Sequence, residues 1–169
     1  TAGQWRYNTT TGFFEGRNAS GTFSTLEPTP TVASVDDTEV DSAGGGNQTI
    51  VITGGNFASG ATVASFVGTS ASFNATTTTV DSATQITAVA PKSSFLNAQE
   101  PYKVKVTSAS GLAGQSATGL INVDNAPTWT TNAGSLGSID EAATGNHFTV
   151  AATDAEGDTV TYSLQSGSL

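Results

Sequence analysis

The chain's one imidazole, His147, stands beside Phe148, and no cysteine accompanies it. A nitrogen or sulfur metal site needs several such ligands. A Ser-His-Asp relay needs its serine on a nucleophile elbow. Neither pattern surrounds His147, which reads as a solvent-facing or edge histidine. The adjacent acids Asp36–Asp37 and Asp140–Glu141 raise glycoside hydrolysis, in which two carboxyls flank the scissile bond. Neighbouring side chains in a strand or loop point apart, so solvated turns explain these pairs better. The glycines of "NQTIVITGGNF" (47–57) would cradle a phosphate only if a helix followed, and "FASGATVASF" opens none. Trp5, Tyr7, Tyr102 and Trp129 are of the type that stacks on sugars, but they do not cluster in the sequence. Sequons begin at Asn8, Asn18, Asn47 and Asn74, and a Ser/Thr-rich chain produces such matches by composition. These residues together point away from an enzyme.

The elements that carry them follow from composition and periodicity. The 169 residues are 36% hydrophobic and only 11% charged, with 19 glycines, against about 25% charged in an average domain. Ser and Thr fill the outward positions, which suits an all-β protein. The net charge is −9 and the pI about 4.1, and the few basic residues form no patch. Nucleic acid is therefore disfavoured as a partner, since nothing would displace its counterions. An anionic membrane would be repelled, and no run of about 18 apolar residues offers to span one. The chain opens on Thr1 without a signal-peptide pattern, as a mature product or a fragment would. The lack of cysteine favours a bacterial or viral origin over a small secreted animal domain.

Three pieces are expected. Residues 1–27 read as a hairpin, "QWRYN" and "FFEG" about the turn "NTTTG", followed by a short strand at "GTFSTL". The prolines of "EPTPTV" hold an extended linker. Residues 28–123 carry strands about every 8–12 residues, the spacing of a sandwich. "YKVKVT" is the clearest: Tyr102, Val104 and Val106 face one way and Lys103, Lys105 and Thr107 the other. In "ITGGNF", Gly54 and Gly55 are expected at positive φ, turning the chain between sheets, with Asn56 left-handed and Phe57 as a core plug. Residues 124–169 hold two more amphipathic stretches, "HFTVAATD" and "TVTYSL". The fold class is thus all-β: immunoglobulin-like sandwiches in an elongated tandem array, behind an N-terminal β-hairpin segment.

Three resemblances sharpen this reading. "PTVASVDDTEVDSAGGGNQTIVITGGNF", "ATVASFVG", "ATQITAVAP" and "YKVKVTSASGLAGQS" resemble the IPT/TIG domains, which implies an immunoglobulin-like scaffold without catalytic residues. "VDNAPTW", Asp140–Glu141, "HFTVAATD" and "DAEGDTVTYSL" resemble the front half of a cadherin-like or putative-immunoglobulin repeat. About 45 residues of a domain of about 100 are present, so its completion by further residues after Leu169 or by a neighbouring subunit is expected. The cadherin-like resemblance implies a calcium site, with Asp124 and Asn125 from the linker and Asp154 and Glu156 from "DAEGD". Calcium takes six to eight oxygens, and the preceding module lacks the D-R-E motif that would supply half the usual set. Finally, "GQWRYNTTTGFFEG" is similar to a segment of structural and tail-fibre proteins of tailed phages, matching at Gly3, Arg6, Tyr7, Asn8, Thr11, Phe14, Glu15 and Gly16.

The function expected is a non-enzymatic virion structural protein, a tail-fibre or surface-appendage segment acting as spacer and adhesion module. The alternatives are a bacterial or archaeal cell-surface adhesin or filament subunit, and a carbohydrate-binding module. Expected partners are other virion or surface subunits, most simply copies of itself as a trimer, and a host-surface glycan. The expected place is a tail or capsid appendage of the virion, or alternatively the cell surface.

Overall fold

A computed structural model describes residues 2–10, 12–60 and 62–163. It is all-β. Strands β1 (Trp5–Asn8), β2 (Phe13–Arg17) and β3 (Phe23–Thr25) form an antiparallel sheet in that order. Two larger sheets follow. One is built from β4 (Thr31–Val35), β6 (Asn47–Gly55), β9 (Thr77–Ser82) and β10 (Gln85–Pro91), in the order β4-β6-β10-β9. The other uses β7 (Val63–Val67), β8 (Ser72–Asn74), β11 (Lys103–Thr107) and β12 (Ala113–Gln115), in the order β12-β11-β7-β8. Strand β5 (Glu39–Val40) pairs in parallel with β13 (Asn122–Val123).

The two four-stranded sheets pack face to face because alternate residues of their central strands are apolar. Ile50 and Ile52 of β6 and Ile86, Ala88 and Ala90 of β10 meet Ala64 and Phe66 of β7 and Val104 and Val106 of β11, all of them buried. Each buried isoleucine contributes about 1.5–3 kcal/mol by leaving water. The alternation of "YKVKVT" is realised, with Lys103 and Lys105 on the outer side. Phe66, Phe73, Phe95 and Tyr102 close one end, with neighbouring ring centroids 5.0–5.8 Å apart. The Tyr102 hydroxyl donates to Leu96 O and accepts from Leu96 N, at 3.2 and 2.7 Å. Burial pushes its pKa above the ordinary tyrosine value. At one edge the sheets are tied by Ala64 N donating to Thr78 Oγ1 at 3.0 Å.

The corner after β6 works differently from expectation. Neither Gly54 nor Gly55 is at positive φ; Asn56 alone takes the left-handed step, at φ 59°. It does so because its amide can hydrogen-bond locally, here to Thr29 O at 3.0 Å. Gly54 is needed for close approach: a Cβ there would lie 1.9 Å from Thr31 O and 2.6 Å from Phe57 Cζ. Gly114 on β12 is constrained alike, with Pro30 O 1.8 Å from the Cβ position. Adjacent carbonyls of an extended strand point opposite ways. The start of β4 is therefore lodged between the two sheets, with one glycine on each side. Phe57 is buried beneath this corner, as expected of a plug.

The C-terminal segment contains one short pair, β14 (Thr128–Trp129) with β15 (Ala152–Thr153). The amphipathic stretch 147–154 is a strand only at β15, and residues 159–163 form none; Leu164 lies outside the described residues. Alternation alone does not make a strand, whose ladder and apolar face both need partners. Phe148, Val150 and Tyr162 remain exposed.

Candidate functional site

Four residues were expected to hold calcium, and the structure brings two of them together. Asn125 follows β13, and its orientation is fixed by chemistry. Its Oδ1 accepts from Ser42 Oγ and from Ala43 N, at 2.9 and 3.0 Å. A backbone N–H can only donate, so the oxygen must face it. The Asn125 amide nitrogen then donates to Glu156 Oε1 at 2.9 Å, and its backbone N approaches Glu156 Oε2 at 3.3 Å. Asn97, in the short helical turn Asn97–Gln99, adds Nδ2 to Glu156 Oε1 at 2.7 Å. Asp154 is used locally, its Oδ1 accepting from Glu156 N and Asp158 N at 3.0 and 3.1 Å. Asp124 continues the β13 ladder through its backbone N, which donates to Val40 O at 3.1 Å.

These donors and acceptors are matched to one another and do not converge on a common point. The Asn125 oxygen turns away from Glu156, and N–H groups occupy the Glu156 carboxylate. Among the described residues no three His, Cys, Asp or Glu side chains gather as a metal set. The arrangement engages Asn125 and Glu156 with each other and with Ser42, Ala43 and Asn97. It is a hydrogen-bonded clasp between the sandwich and the C-terminal segment.

Three of the acids in the Asp36–Asp37 and Asp140–Glu141 pairs are also in structural use. Asp36 Oδ1 accepts from Val51 N at 2.7 Å, Asp37 accepts from the Gln48 side chain, and Asp140 Oδ1 caps Ala142 N at 2.9 Å. His147 is exposed.

The N-terminal sheet presents a different kind of site. Register places Trp5 opposite Gly16 and Tyr7 opposite Phe14, so these side chains share one face. Leu26 lies over Gly16, with Cδ2 2.9 Å from where a Cβ would stand. No described residue covers this face: Trp5 is 77% exposed, Phe14 62%, Tyr7 55% and Leu26 51%. The opposite face is a miniature core centred on Glu15, which is buried. Asn8 Nδ2 donates to Glu15 Oε1 at 2.8 Å and Arg6 Nε to Oε2 at 2.6 Å. The Arg6 guanidinium then covers the Phe23 ring at 4.0 Å, a cation–π contact. Hydrogen bonds from Asn8 and Arg6 hold the Glu15 carboxyl below its ordinary pKa.

Of the four aromatics considered for sugar stacking, Tyr102 is removed, being 1% exposed. Trp129 stands apart, packed on Tyr162 at 5.7 Å between ring centroids. Trp5 and Tyr7 come together and gain Phe14, which the hairpin register would have revealed. No family model matches the chain, and no curated protein or solved structure is significantly similar to it.

Proposed function

We propose that the chain is a non-enzymatic segment of a virion appendage, a tail fibre or surface fibre. In it, β-modules in series act as a spacer and the N-terminal sheet as an adhesion element, with copies of the chain associated most simply as a trimer. One observation carries this reading. The residues on which the tail-fibre resemblance rests include Arg6, Asn8, Glu15 and Gly16. These are the ones that build the N-terminal sheet, Arg6 and Asn8 on the Glu15 carboxylate and Gly16 beneath Leu26. The motif therefore has a structural job in this chain, which supports treating the match as more than composition. A filled sandwich core suits a spacer, and a Ser/Thr-rich surface keeps one soluble at low charge.

Imaging of native particles with an antibody against the chain tests the proposal. Label on a tail or capsid appendage is the expected result; label on a cell envelope or on free filaments would replace it with the second reading, a surface adhesin or filament subunit. That reading is favoured by the exposed Phe148, Val150 and Tyr162, which a strand donated by a neighbouring subunit would cover.

A further inference from the structure

We propose that the open face of the N-terminal sheet binds a neutral pyranose glycan, with Trp5, Tyr7 and Phe14 as the stacking platform and the polar recess at the β1–β2 turn supplying hydrogen bonds. This deepens the adhesive part of the proposed function. Its test uses the isolated chain, so its failure would leave the assignment to an appendage standing.

Charge is the first argument. Residues 1–27 hold Arg6 and Arg17 against Glu15 and Glu27 and are neutral, so residues 28–169 carry the whole net charge of −9. The platform itself has no ionised side chain, and the Arg6 charge behind it is paired with Glu15 at 2.6 Å. An anionic glycan would find no cation on this face and an acidic chain around it; a neutral one meets no such barrier.

The second argument is size. Aromatic side chains of these types cover about 150–250 Å² each when buried. With exposures of 77, 55 and 62% for Trp5, Tyr7 and Phe14 and 51% for Leu26, the face offers on the order of 500 Å². A stable protein interface needs about 800 Å² per partner. The platform is thus small for a second copy of the chain and ample for a few sugar rings.

The third argument is the neighbourhood. Ligand sites combine apolar walls with a few placed polar groups. Beside Tyr7, along the free edge of β1, opens a recess of about 520 Å³ lined by Arg6, Asn8, Thr9 and Thr10; Arg6 and Asn8 are engaged with Glu15, and the Thr9 and Thr10 hydroxyls are the groups placed to meet sugar hydroxyls. The platform is also stiff. Tyr7 and Phe14 are held as a cross-strand pair at 5.3 Å with a 60° tilt. Aromatics have only two χ angles to order on binding.

The experiment titrates the full chain with cellohexaose, laminarihexaose and maltohexaose, followed by the indole and backbone resonances in heteronuclear NMR. At least one should shift the Trp5 indole and the Tyr7 and Thr9 amides, with millimolar affinity. Trp5→Ala should weaken binding about tenfold or more, Trp5→Phe should retain part of it, and Trp129→Ala should leave it unchanged. Trp5 is 77% exposed, so its replacement leaves the fold in place, and retained Glu15 contacts would verify that. The proposal is overturned if none of the three sugars moves Trp5 at about 10 mM, or if binding follows Trp129. It is also overturned if sedimentation shows a Trp5-dependent oligomer with that face covered by a second copy.

Discussion

Alanine at position 54 would place a methyl carbon 1.9 Å from Thr31 O and 2.6 Å from Phe57 Cζ. The phenyl ring is the end of a side chain; the carbonyl belongs to a strand paired with β6 and cannot swing aside. The start of β4 would have to retreat by about 1 Å, and the direction of retreat is toward Gly114, whose own Cβ position is 1.8 Å from Pro30 O. Overpacking of this kind costs about 1–3 kcal/mol, and the backbone partner places Gly54→Ala at the upper end. Loss of glycine's freedom in the unfolded chain returns about 0.4–1 kcal/mol. The net is a destabilisation of about 2 kcal/mol, or about 8–16 °C in melting temperature for a domain of this size. Gly114→Ala should cost about the same. The double variant should cost little more than the worse single one, because once the start of β4 is expelled both clashes vanish together. Trp5 and Trp129 lie outside the two four-stranded sheets, so unfolding should be followed by circular dichroism or calorimetry, not by indole fluorescence. Single variants within about 0.5 kcal/mol of the parent, or additive losses in the double variant, would refute the lodged-strand account.

Four further outcomes are expected. The folded Glu15 carboxyl has a depressed pKa, so its contribution to the N-terminal sheet is complete above the unfolded value of about 4.5 and is lost as pH falls through the folded value; NMR should show β1–β3 loosening below pH 4.5 with the sandwich intact, and Glu15→Gln should abolish that dependence. Glu156→Ala should free the C-terminal segment, raising protease cleavage and amide exchange after residue 125 while changing sandwich stability by less than about 0.5 kcal/mol. Calcium should leave the melting temperature of the parent unchanged, and a rise would mean that Asn125 and Glu156 reorient around the ion. At Asn56, glycine should be tolerated and valine should cost about 1–2 kcal/mol, because the left-handed backbone opposes a β-branched side chain.

Strands with a period of two and a supplied partner were legible in the sequence. Lys103–Thr107 and the first hairpin stand where they were expected, since burial on one face is a local pattern. What depended on distant neighbours was not legible. The double glycine suggests a turn when read alone; the reason for Gly54 is the Thr31 carbonyl, and for Gly114 the Pro30 carbonyl. Tyr102 and Tyr7 look equivalent as sugar-stacking candidates, yet one is inside the aromatic end of the sandwich and the other on an open face. At the junction, Asn125 and Glu156 were singled out, but Ser42 and Asn97, 83 and 59 residues from their partners, could not be. The alternation in 147–163 yields a strand only at β15, because the described residues offer it so little to pair with.

The parallel pairing of β5 with β13 has a mechanical consequence. Residues 38–40 lie near the chain's entry to the sandwich and residues 122–124 near its exit, joined by Asn122 N to Thr38 O and Asp124 N to Val40 O at 2.8 and 3.1 Å. Because the two strands run the same way, tension applied at the entry and exit pulls them past each other along their axes. Their hydrogen bonds are loaded together in shear and cannot be opened one at a time, as at the end of a hairpin. A chain under traction between two anchored ends would load this seam, between the stretches where it enters and leaves the module, in shear.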